Sequence, residues 1–332
     1  MKQVTIIGAG SWGSALANIL CENNNRVLLY DTDVQTVNEI NEFHTNRKVP
    51  NVTMNSDIEA TINLKEAVNY SDIIVISVPT KVIRLVLKSI NELIDSPKLF
   101  VNTSKGLEPN TFKRVSQIVE EEIDQRYIDG FVALTGPSHA EEVIVKLPTT
   151  ICSVSENIEK AKIVQEIFSN HSNFRVYTGN DLLGSELCSA IKNVYAIASG
   201  ILHGLGFGDN ARAGLISRAL VEMRRIVVEL GAKEETVFGL TGVGDLVVTT
   251  TSHFSRNFQA GVKLAKGNNL EETLNSIDMV VEGVRTAKAV YDLVVELNIE
   301  APIITAVYKV IYEHLLPDQA VAQLFNREFK DE

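Results

Sequence analysis

Apolar residues in the first 180 or so positions are grouped in short runs, and longer amphipathic segments separate these runs. The runs consist mostly of Val, Ile and Leu, which is typical of parallel strands covered on both faces of a sheet. They predict strands at residues 4–7, 27–30, 73–78, 99–103, 131–134, 150–154 and 174–177. Residues 12–22, 34–43 and 111–123 have helical periodicity. This alternation predicts a doubly wound α/β sheet.

The pattern changes after residue 181, where the strand-like runs stop. Helices are predicted at residues 182–202, 210–230, 256–266, 283–297 and 303–315. No repeat or low-complexity linker marks the change. We therefore expect two domains, an α/β domain over residues 1–181 and an all-α domain over residues 182–332.

Composition is ordinary for a globular protein, with 332 residues of which 45% are hydrophobic and 22% are charged. No apolar run approaches the ~20 residues that span a bilayer, and the first residues predict a strand and not a signal peptide. The three cysteines, Cys21, Cys152 and Cys188, lack metal-ligand spacing and suit a reducing compartment. The sequence predicts a cytoplasmic protein without stable membrane insertion and without a metal.

The formal net charge of −11 argues against nucleic acid or an anionic membrane as a partner, because no broad basic patch is evident. It does not exclude a small phosphorylated ligand, which needs only local cations and backbone N–H groups. A homodimer is compatible with the apolar helices of the second domain, since each of them suits a core or an interface equally well.

A motif of the form G-x-G-x-x-G, Gly8-Ala9-Gly10-Ser11-Trp12-Gly13, directly follows the first predicted strand and precedes an apolar helix. The first glycine permits a tight turn, the second lets the backbone approach a pyrophosphate, and the third allows close packing of helix against strand. In this context the motif predicts a Rossmann domain with a dinucleotide at the helix N-terminus. The alternative is a glycine-rich turn without a ligand.

The second predicted strand ends at Tyr30-Asp31, about 20 residues past the glycines, where an acidic side chain hydrogen-bonds the adenosine ribose. A carboxylate there repels a 2′-phosphate, so Asp31 favours NAD over NADP. The alternative is that Asp31 only caps the following helix, and Asp33 suits either role.

Two further strand ends carry candidate ligand-binding groups. Lys105 follows the strand at residues 99–103, whereas Gly136 and Ser138 follow the strand at residues 131–134. Doubly wound folds bind ligands at the carboxyl ends of their strands. The lysine supplies a cation, and the Gly-Pro-Ser turn supplies N–H and hydroxyl donors. The alternative is a solvated lysine in an ordinary loop.

Lys192 lies within an apolar predicted helix, and small residues share its face. Ser185, Ser189, Ala196 and Ser199 are spaced at helical intervals around it. Small neighbours leave room for a ligand over the ammonium group, which makes Lys192 a candidate catalytic residue. They also suit close helix packing with a lysine that extends outward to solvent.

The second half also contains a glycine cluster ending in Asp245 and a polar run with Ser255, Arg256 and Asn257. Asp245 is suited to hold an ammonium or hydroxyl group. Ser255 is predicted as a helix N-cap, and an arginine in the first turn of a helix is a good phosphate receptor. The alternative is ordinary capping beside a solvated arginine.

With these motifs the chain resembles the bacterial NAD(P)-dependent sn-glycerol-3-phosphate dehydrogenases over essentially its whole length. The resemblance rests on GAGSWGSALA (8–17), SVPT (77–80), SKGLE (104–108), TGPSHAEEV (135–143), AIKNVYAIASGI (190–201), GDNARAG (208–214), GVGDL (242–246), SRNFQAG (255–261) and VVEGV (280–284). It implies interconversion of sn-glycerol 3-phosphate and dihydroxyacetone phosphate, supplying glycerol 3-phosphate for glycerophospholipid synthesis.

The resemblance also implies roles for single residues. Lys192 would exchange a proton with the substrate, beside Lys105 and with Asp245 holding the arrangement. Substrate contacts are implied for Lys105, Gly136, Ser138, Lys192, Asp245, Ser255, Arg256 and Asn257. Beyond the glycines and Asp31, cofactor contacts are implied for Ser11, Trp12, Lys105, Ala140, Arg256, Val280 and Glu282. Many members carry a cation after the second strand that suits NADP, whereas residues 30–33 here contain none.

Two other functions stay open at this level. A β-hydroxyacid or ketopantoate-type dehydrogenase pairs a similar Rossmann domain with a helical domain and a lysine, but the polar run at residues 255–257 argues against it. A non-catalytic NAD-binding regulator would explain residues 8–13, but not Lys105, Lys192 and Asp245 together.

Overall fold

The computed structural model describes residues 1–109, 111–277 and 281–328. The chain forms two compact units. The first comprises Met1–Glu108 and Lys113–Ser185, and the second comprises Pro109–Phe112 and the described residues from Glu186 onward. The domain boundary expected after residue 181 stays a prediction.

The first unit contains an eight-stranded sheet with the strand order β3-β2-β1-β4-β5-β6-β7-β8. The strands are β1 (Gln3–Ile7), β2 (Arg26–Tyr30), β3 (Ile58–Thr61), β4 (Ile73–Ile76), β5 (Lys98–Asn102), β6 (Ile128–Thr135), β7 (Thr149–Val154) and β8 (Phe174–Gly179). The edge strand β3 was not predicted, because it is only four residues long and one of them, Glu59, is exposed.

Neighbouring strands are parallel except for β6 and β7, which are antiparallel. The prediction of parallel strands was therefore wrong for this pair. Apolar runs reflect burial on both faces, and burial does not depend on strand direction. The connection from β6 to β7 contains only one short helix, so the chain turns back without a crossover along the sheet.

Helices cover both faces of the sheet, as the doubly wound pattern predicts. They are α1 (Ser11–Glu22), α2 (Val34–Phe43), α3 (Leu64–Tyr70), α4 (Thr80–Asn91), α5 (Val115–Glu122), α6 (Ala140–Val143) and α7 (Ile158–Phe168), with a 3₁₀ turn at Gln125–Tyr127. Adjacent strand residues such as Ile6 and Ile7 belong to two separate apolar clusters, because successive side chains point to opposite faces. Helix α5 begins later than predicted, since Phe112 has a φ of +58° and cannot continue a helix.

Beyond β8, every regular element of the described residues is helical. These helices are α8 (Leu182–Gly204), α9 (Asp209–Glu229), α10 (Glu234–Val237), α11 (Asp245–Thr251), α12 (Arg256–Ala265), α13 (Leu270–Asn275), α14 (Glu282–Glu296), α15 (Pro302–Tyr312) and α16 (Pro317–Phe325), with a π-helical turn at Leu240–Gly244. The fold is thus an N-terminal Rossmann sheet followed by a helical C-terminal domain. None of the described helices combines the length and apolarity needed to cross a membrane.

Glu222 on α9 is a buried carboxyl group that holds the start of another helix. Its side chain accepts hydrogen bonds from the backbone N–H groups of Ile303 and Ile304 in α15, at 2.9 and 3.0 Å. Burial raises the pKa of Glu222 to about 7, although the two N–H donors act in the opposite direction. Ionisation of this carboxyl is therefore less favourable in the folded protein than in the unfolded chain.

The stability of the protein should consequently depend on pH through Glu222. Because folding raises the pKa of Glu222, the contribution of this carboxyl to stability is fully present below about pH 4.5. This contribution is lost as the pH rises through about 7. Between these values we expect the wild type to lose on the order of 3 kcal/mol more stability than Glu222→Gln. Urea denaturation at both pH values measures the difference. Parallel curves for the two proteins would contradict a change in protonation.

Candidate active site

The glycine motif forms the turn between β1 and α1, and its geometry fits a dinucleotide. Gly8 has a φ of +111°, and a Cβ on Gly13 would lie only 2.0 Å from the carbonyl oxygen of Gly8. Neither position accepts a side chain. A Cβ on Gly10 would instead meet nothing within 4 Å, at the N-terminus of a twelve-residue helix. Gly10 therefore leaves the room that a pyrophosphate needs beside the helix N-terminus.

Asp31 lies directly after β2, and its carboxylate binds the glycine turn. Its Oδ2 atom accepts a hydrogen bond from the N–H of Ala9 at 3.0 Å. Capping of α2, the alternative role for Asp31, belongs to Asp33, which accepts a hydrogen bond from the N–H of Gln35 at 3.1 Å. Asp31 is thus placed where the ribose contact was predicted, and the contact itself stays a prediction.

Ser11 and Trp12 form the first turn of α1. The Ser11 hydroxyl donates to the backbone carbonyl of Lys48 at 2.9 Å. The indole Nε1 of Trp12 is enclosed and has no hydrogen-bond partner among the described residues. A buried donor without a partner is uncommon in folded proteins, and a bound ligand would supply an acceptor.

Lys105, Gly136 and Ser138 lie together at the carboxyl ends of β5 and β6. The ammonium of Lys105 donates to the carbonyl oxygen of Gly136 at 2.9 Å, and the hydroxyl of Ser138 donates to the same oxygen at 3.1 Å. Lys105 is half-buried and is held by this contact, and its role in ligand binding stays a prediction. Ala140, which begins α6, follows two residues later. The structure therefore brings these four predicted residues together in the first unit.

Lys192 is enclosed in the second unit, with only 2% of its surface exposed. The alternative of a lysine extending to solvent is therefore wrong. Its Nζ atom lies 2.5 Å from Oδ1 of Asp245 and donates to Oγ1 of Thr249 at 2.8 Å. The Thr249 hydroxyl donates in turn to the main-chain carbonyl of Asp245 at 2.6 Å, which directs an oxygen lone pair toward the ammonium. Asp245, which the sequence suits to hold an ammonium or hydroxyl group, thus holds Lys192 together with Thr249, and the catalytic roles stay predictions.

Thr249 was not predicted as a site residue. The available signal was its spacing of four from Asp245, which puts both side chains on one face of a helix. Helix α11 is only seven residues long and follows directly on a π-helical turn, a feature often found at functional sites. A helix this short has no clear apolar periodicity, so sequence reasoning did not place Thr249 beside Lys192.

The small residues around Lys192 serve helix packing as well. Ser185, Ser189, Ala196 and Ser199 are all at most 4% exposed. The hydroxyl of Ser199 donates to the carbonyl of Thr250 at 2.7 Å, which ties α8 to α11. Close packing, offered as the alternative to a ligand site, is therefore observed together with the burial of the lysine.

The polar run beside these helices begins α12 as predicted. Ser255 is the N-cap, and its hydroxyl accepts a hydrogen bond from the N–H of Phe258 at 3.2 Å. Arg256 is the first helical residue and is half-buried. The arrangement has the helix N-terminus and the guanidinium that phosphate binding requires. Phosphate binding by Ser255 and Arg256 stays a prediction.

Asn257 links three helices through its amide group. Its Nδ2 donates to Oδ1 of Asn193 at 3.0 Å, and its Oδ1 accepts from the N–H of Gly283 at 2.8 Å. Asn193 is the neighbour of Lys192, and Glu282 begins α14 beside Gly283. The second unit therefore connects Asn257 by hydrogen bonds to the chain neighbours of Lys192 and Glu282. Val280 lies outside the described residues.

No cluster of three or more His, Cys, Asp or Glu side chains suited to a metal occurs in the described part of the chain. The site residues of the first unit and those of the second unit supply backbone N–H groups, carboxylates, hydroxyls and a buried ammonium. These groups are suited to bind phosphate and ribose and to transfer a proton.

Comparison with known proteins identifies the family. Residues 3–161 match the model of the NAD-dependent glycerol-3-phosphate dehydrogenase N-terminus, and residues 181–322 match the model of its C-terminus. The chain belongs to the NAD-dependent glycerol-3-phosphate dehydrogenase family. The two matched segments together cover most of both units, so membership does not rest on the glycine motif alone.

Proteins similar to this chain carry the name glycerol-3-phosphate dehydrogenase. Glycerol-3-phosphate dehydrogenase (NAD(P)+) of Staphylococcus saprophyticus is 46% identical over the full length of both chains. The protein of that name from Bacillus pumilus is 48% identical over 98% of this chain and 95% of its own. The crystal structure of glycerol-3-phosphate dehydrogenase from Coxiella burnetii has a TM-score of 0.92 at 36% identity, covering 98% of this chain and 99% of that one.

The buried pair of Lys192 and Asp245 has a direct consequence for stability. Asp245→Asn keeps the shape of the side chain but leaves a buried ammonium without its counter-charge. We expect this substitution to destabilise the protein by roughly 3–5 kcal/mol, and the further substitution Lys192→Met to recover most of the loss. Urea unfolding followed by circular dichroism measures both. A loss below about 1 kcal/mol for Asp245→Asn would contradict a dry ion pair.

Proposed function

We propose that this chain catalyses the reversible NAD(P)-dependent interconversion of sn-glycerol 3-phosphate and dihydroxyacetone phosphate. The observation that carries the proposal is the buried Lys192 ammonium, held by Asp245 and Thr249 in a member of this family. The relatives named above carry the name of this activity over their full length. The glycine turn of the first unit supplies a fitting dinucleotide site.

A nicotinamide dinucleotide held at the glycine turn would supply the hydride for the reduction and accept it in the oxidation. The protein must orient the substrate and transfer one proton. In the reduction, the Lys192 ammonium donates a proton to the oxygen on C2 of dihydroxyacetone phosphate as that oxygen gains negative charge. In the oxidation, the neutral amine accepts the hydroxyl proton of glycerol 3-phosphate.

Asp245 and Thr249 prepare Lys192 for this exchange. The carboxylate of Asp245 stabilises the ammonium in a place that would otherwise disfavour a charge. The Thr249 hydroxyl accepts one ammonium N–H and therefore fixes where the remaining protons point. Lysine has three rotatable donors, and the contacts with Asp245 and Thr249 orient this group.

Arg256 is proposed to bind the phosphate group of the substrate. It occupies the first turn of α12, where the helix dipole favours an anion and the guanidinium offers two parallel donors. Ser255, Asn257, Gly136, Ser138 and Lys105 are proposed as further substrate contacts. Lys105 also adds a positive charge, and Ala140 and the glycine turn are proposed to contact the cofactor.

The cellular setting belongs to the same proposal. We infer a cytoplasmic enzyme that supplies glycerol 3-phosphate for glycerophospholipid synthesis and binds no nucleic acid, and a homodimer is compatible with its apolar helices. The net charge of −11 and three cysteines without disulfides support this inference. A carboxylate substrate of the β-hydroxyacid or ketopantoate type is disfavoured, because the family models and full-length relatives belong to the glycerol-3-phosphate enzymes.

The role of Lys192 is tested by following NADH and NADPH absorbance with dihydroxyacetone phosphate. We expect Lys192→Ala to lower kcat by several orders of magnitude, because the developing charge on the substrate oxygen then has no proton donor. Cofactor binding should survive. Quenching of Trp12, the single tryptophan of the chain, measures that binding independently of turnover. A kcat near that of the wild type would contradict the assignment.

The phosphate assignment predicts a different kinetic effect. Arg256→Ala should raise KM for dihydroxyacetone phosphate about 10–100-fold, because a charge-assisted pair with the phosphate is lost. Arg224→Ala is the matched control, since Arg224 is an exposed arginine on α9 that pairs with Glu234 on α10. Steady-state kinetics of both variants decide the question. If KM is unchanged in Arg256→Ala, the phosphate lies elsewhere.

A further inference from the structure

A segment after α2 is fastened to the glycine turn by three side-chain hydrogen bonds. The amide of Asn46 donates to the carbonyl of Ala9 at 3.0 Å and to the hydroxyl of Ser14 at 2.9 Å. The Ser11 hydroxyl donates to the carbonyl of Lys48 at 2.9 Å. Residues 46–48 are therefore held beside the glycine turn although they are more than 30 positions away in sequence.

This attachment brings a cation to Asp31. The Nζ atom of Lys48 lies 2.8 Å from Oδ2 of Asp31, the oxygen that also accepts the N–H of Ala9. The side chain of Lys48 is 36% exposed, whereas that of Asp31 is 12% exposed. Asp31 is thus paired with a cation that keeps contact with solvent.

The consequence concerns the two forms of the cofactor. An unpaired carboxylate at the end of the second strand repels a 2′-phosphate, which carries a charge of about −1.5 to −2. A lysine ammonium paired with that carboxylate cancels the repulsion, and its flexible stem allows it to exchange one anionic partner for another. The segment at residues 30–33 contains no cation, but the folded chain supplies one from residue 48.

We propose that Lys48 determines whether this protein accepts a 2′-phosphorylated cofactor. With a free ribose 2′-hydroxyl, Lys48 stays paired with Asp31, and the carboxylate accepts the hydroxyl as in an NAD site. With a 2′-phosphate, the Lys48 ammonium binds the phosphate and screens it from Asp31. The proposal rests on the proposed function in that the glycine turn binds a nicotinamide dinucleotide.

The neighbouring residue provides a matched control. Arg47 carries the same charge on the same segment, but its guanidinium is held by Glu39 through Nε and Nη2 at 3.0 and 2.6 Å. Its Nη1 atom donates to Gln35 at 2.5 Å. Arg47→Ala therefore removes one positive charge close to the site without removing the partner of Asp31.

Calorimetric titration with ADP-ribose and with 2′-phospho-ADP-ribose tests the proposal on the wild type, Lys48→Ala and Arg47→Ala. We expect Lys48→Ala to weaken binding of the 2′-phosphorylated compound at least about 10-fold, and binding of ADP-ribose less than about 3-fold. Arg47→Ala should change both affinities less than about 3-fold. Asp31→Asn should strengthen binding of the 2′-phosphorylated compound, because it removes the remaining negative charge.

Equal weakening of both compounds by Lys48→Ala would overturn the proposal, since Lys48 would then only support the glycine turn. Equal effects of Lys48→Ala and Arg47→Ala on the 2′-phosphorylated compound would overturn it as well. Thermal unfolding of the variants establishes that each is folded. Neither compound contains nicotinamide, so these outcomes do not depend on turnover. Equal weakening of the two compounds by Lys48→Ala rejects the role of Lys48 alone, whereas absence of dihydroxyacetone phosphate reduction rejects the proposed function alone.

Discussion

The ion pair between Lys192 and Asp245 is the constraint around which the helical unit is organised. Two charges with 3% and 0% of their side-chain surface exposed lose most of their hydration, and their attraction offsets this loss only if the geometry is good and further polar partners are present. Thr249 is such a partner. Because a buried pair of this kind contributes little net stability, its presence in an otherwise apolar helix is better explained by chemistry.

The packing of α8 follows from the same constraint. A lysine can be enclosed only if its neighbours are small enough to let other helices approach, and Ser189, Ala196 and Ser199 meet this requirement. The Ser199 hydroxyl and the amide of Asn257 then connect α8 to α11 and α12 by hydrogen bonds. These hydrogen bonds fix the position of Lys192 relative to the start of α12.

In the first unit, the constraint is that the backbone of the glycine turn must lie close to a phosphorylated ligand. Gly8 and Gly13 allow the turn to be tight, whereas Gly10 leaves its surface open. Asp31 and residues 46–48 brace this turn from two sides. The same contacts that stiffen the turn also set the local charge, so cofactor choice and the geometry of the turn depend on one set of interactions.

Most strands of the sheet, the glycine turn and the identity of Lys192 as a candidate were determined by the sequence alone, because burial periodicity and glycine spacing are local properties. Strand direction at β6 and β7 is not local, since it depends on the path of the connection between them. The contacts of Thr249 and Lys48 were decided only by the tertiary structure. Each is brought to its partner, Lys192 or Asp31, by packing between segments that no short-range pattern relates, and electrostatic pairing depends on distance in space alone.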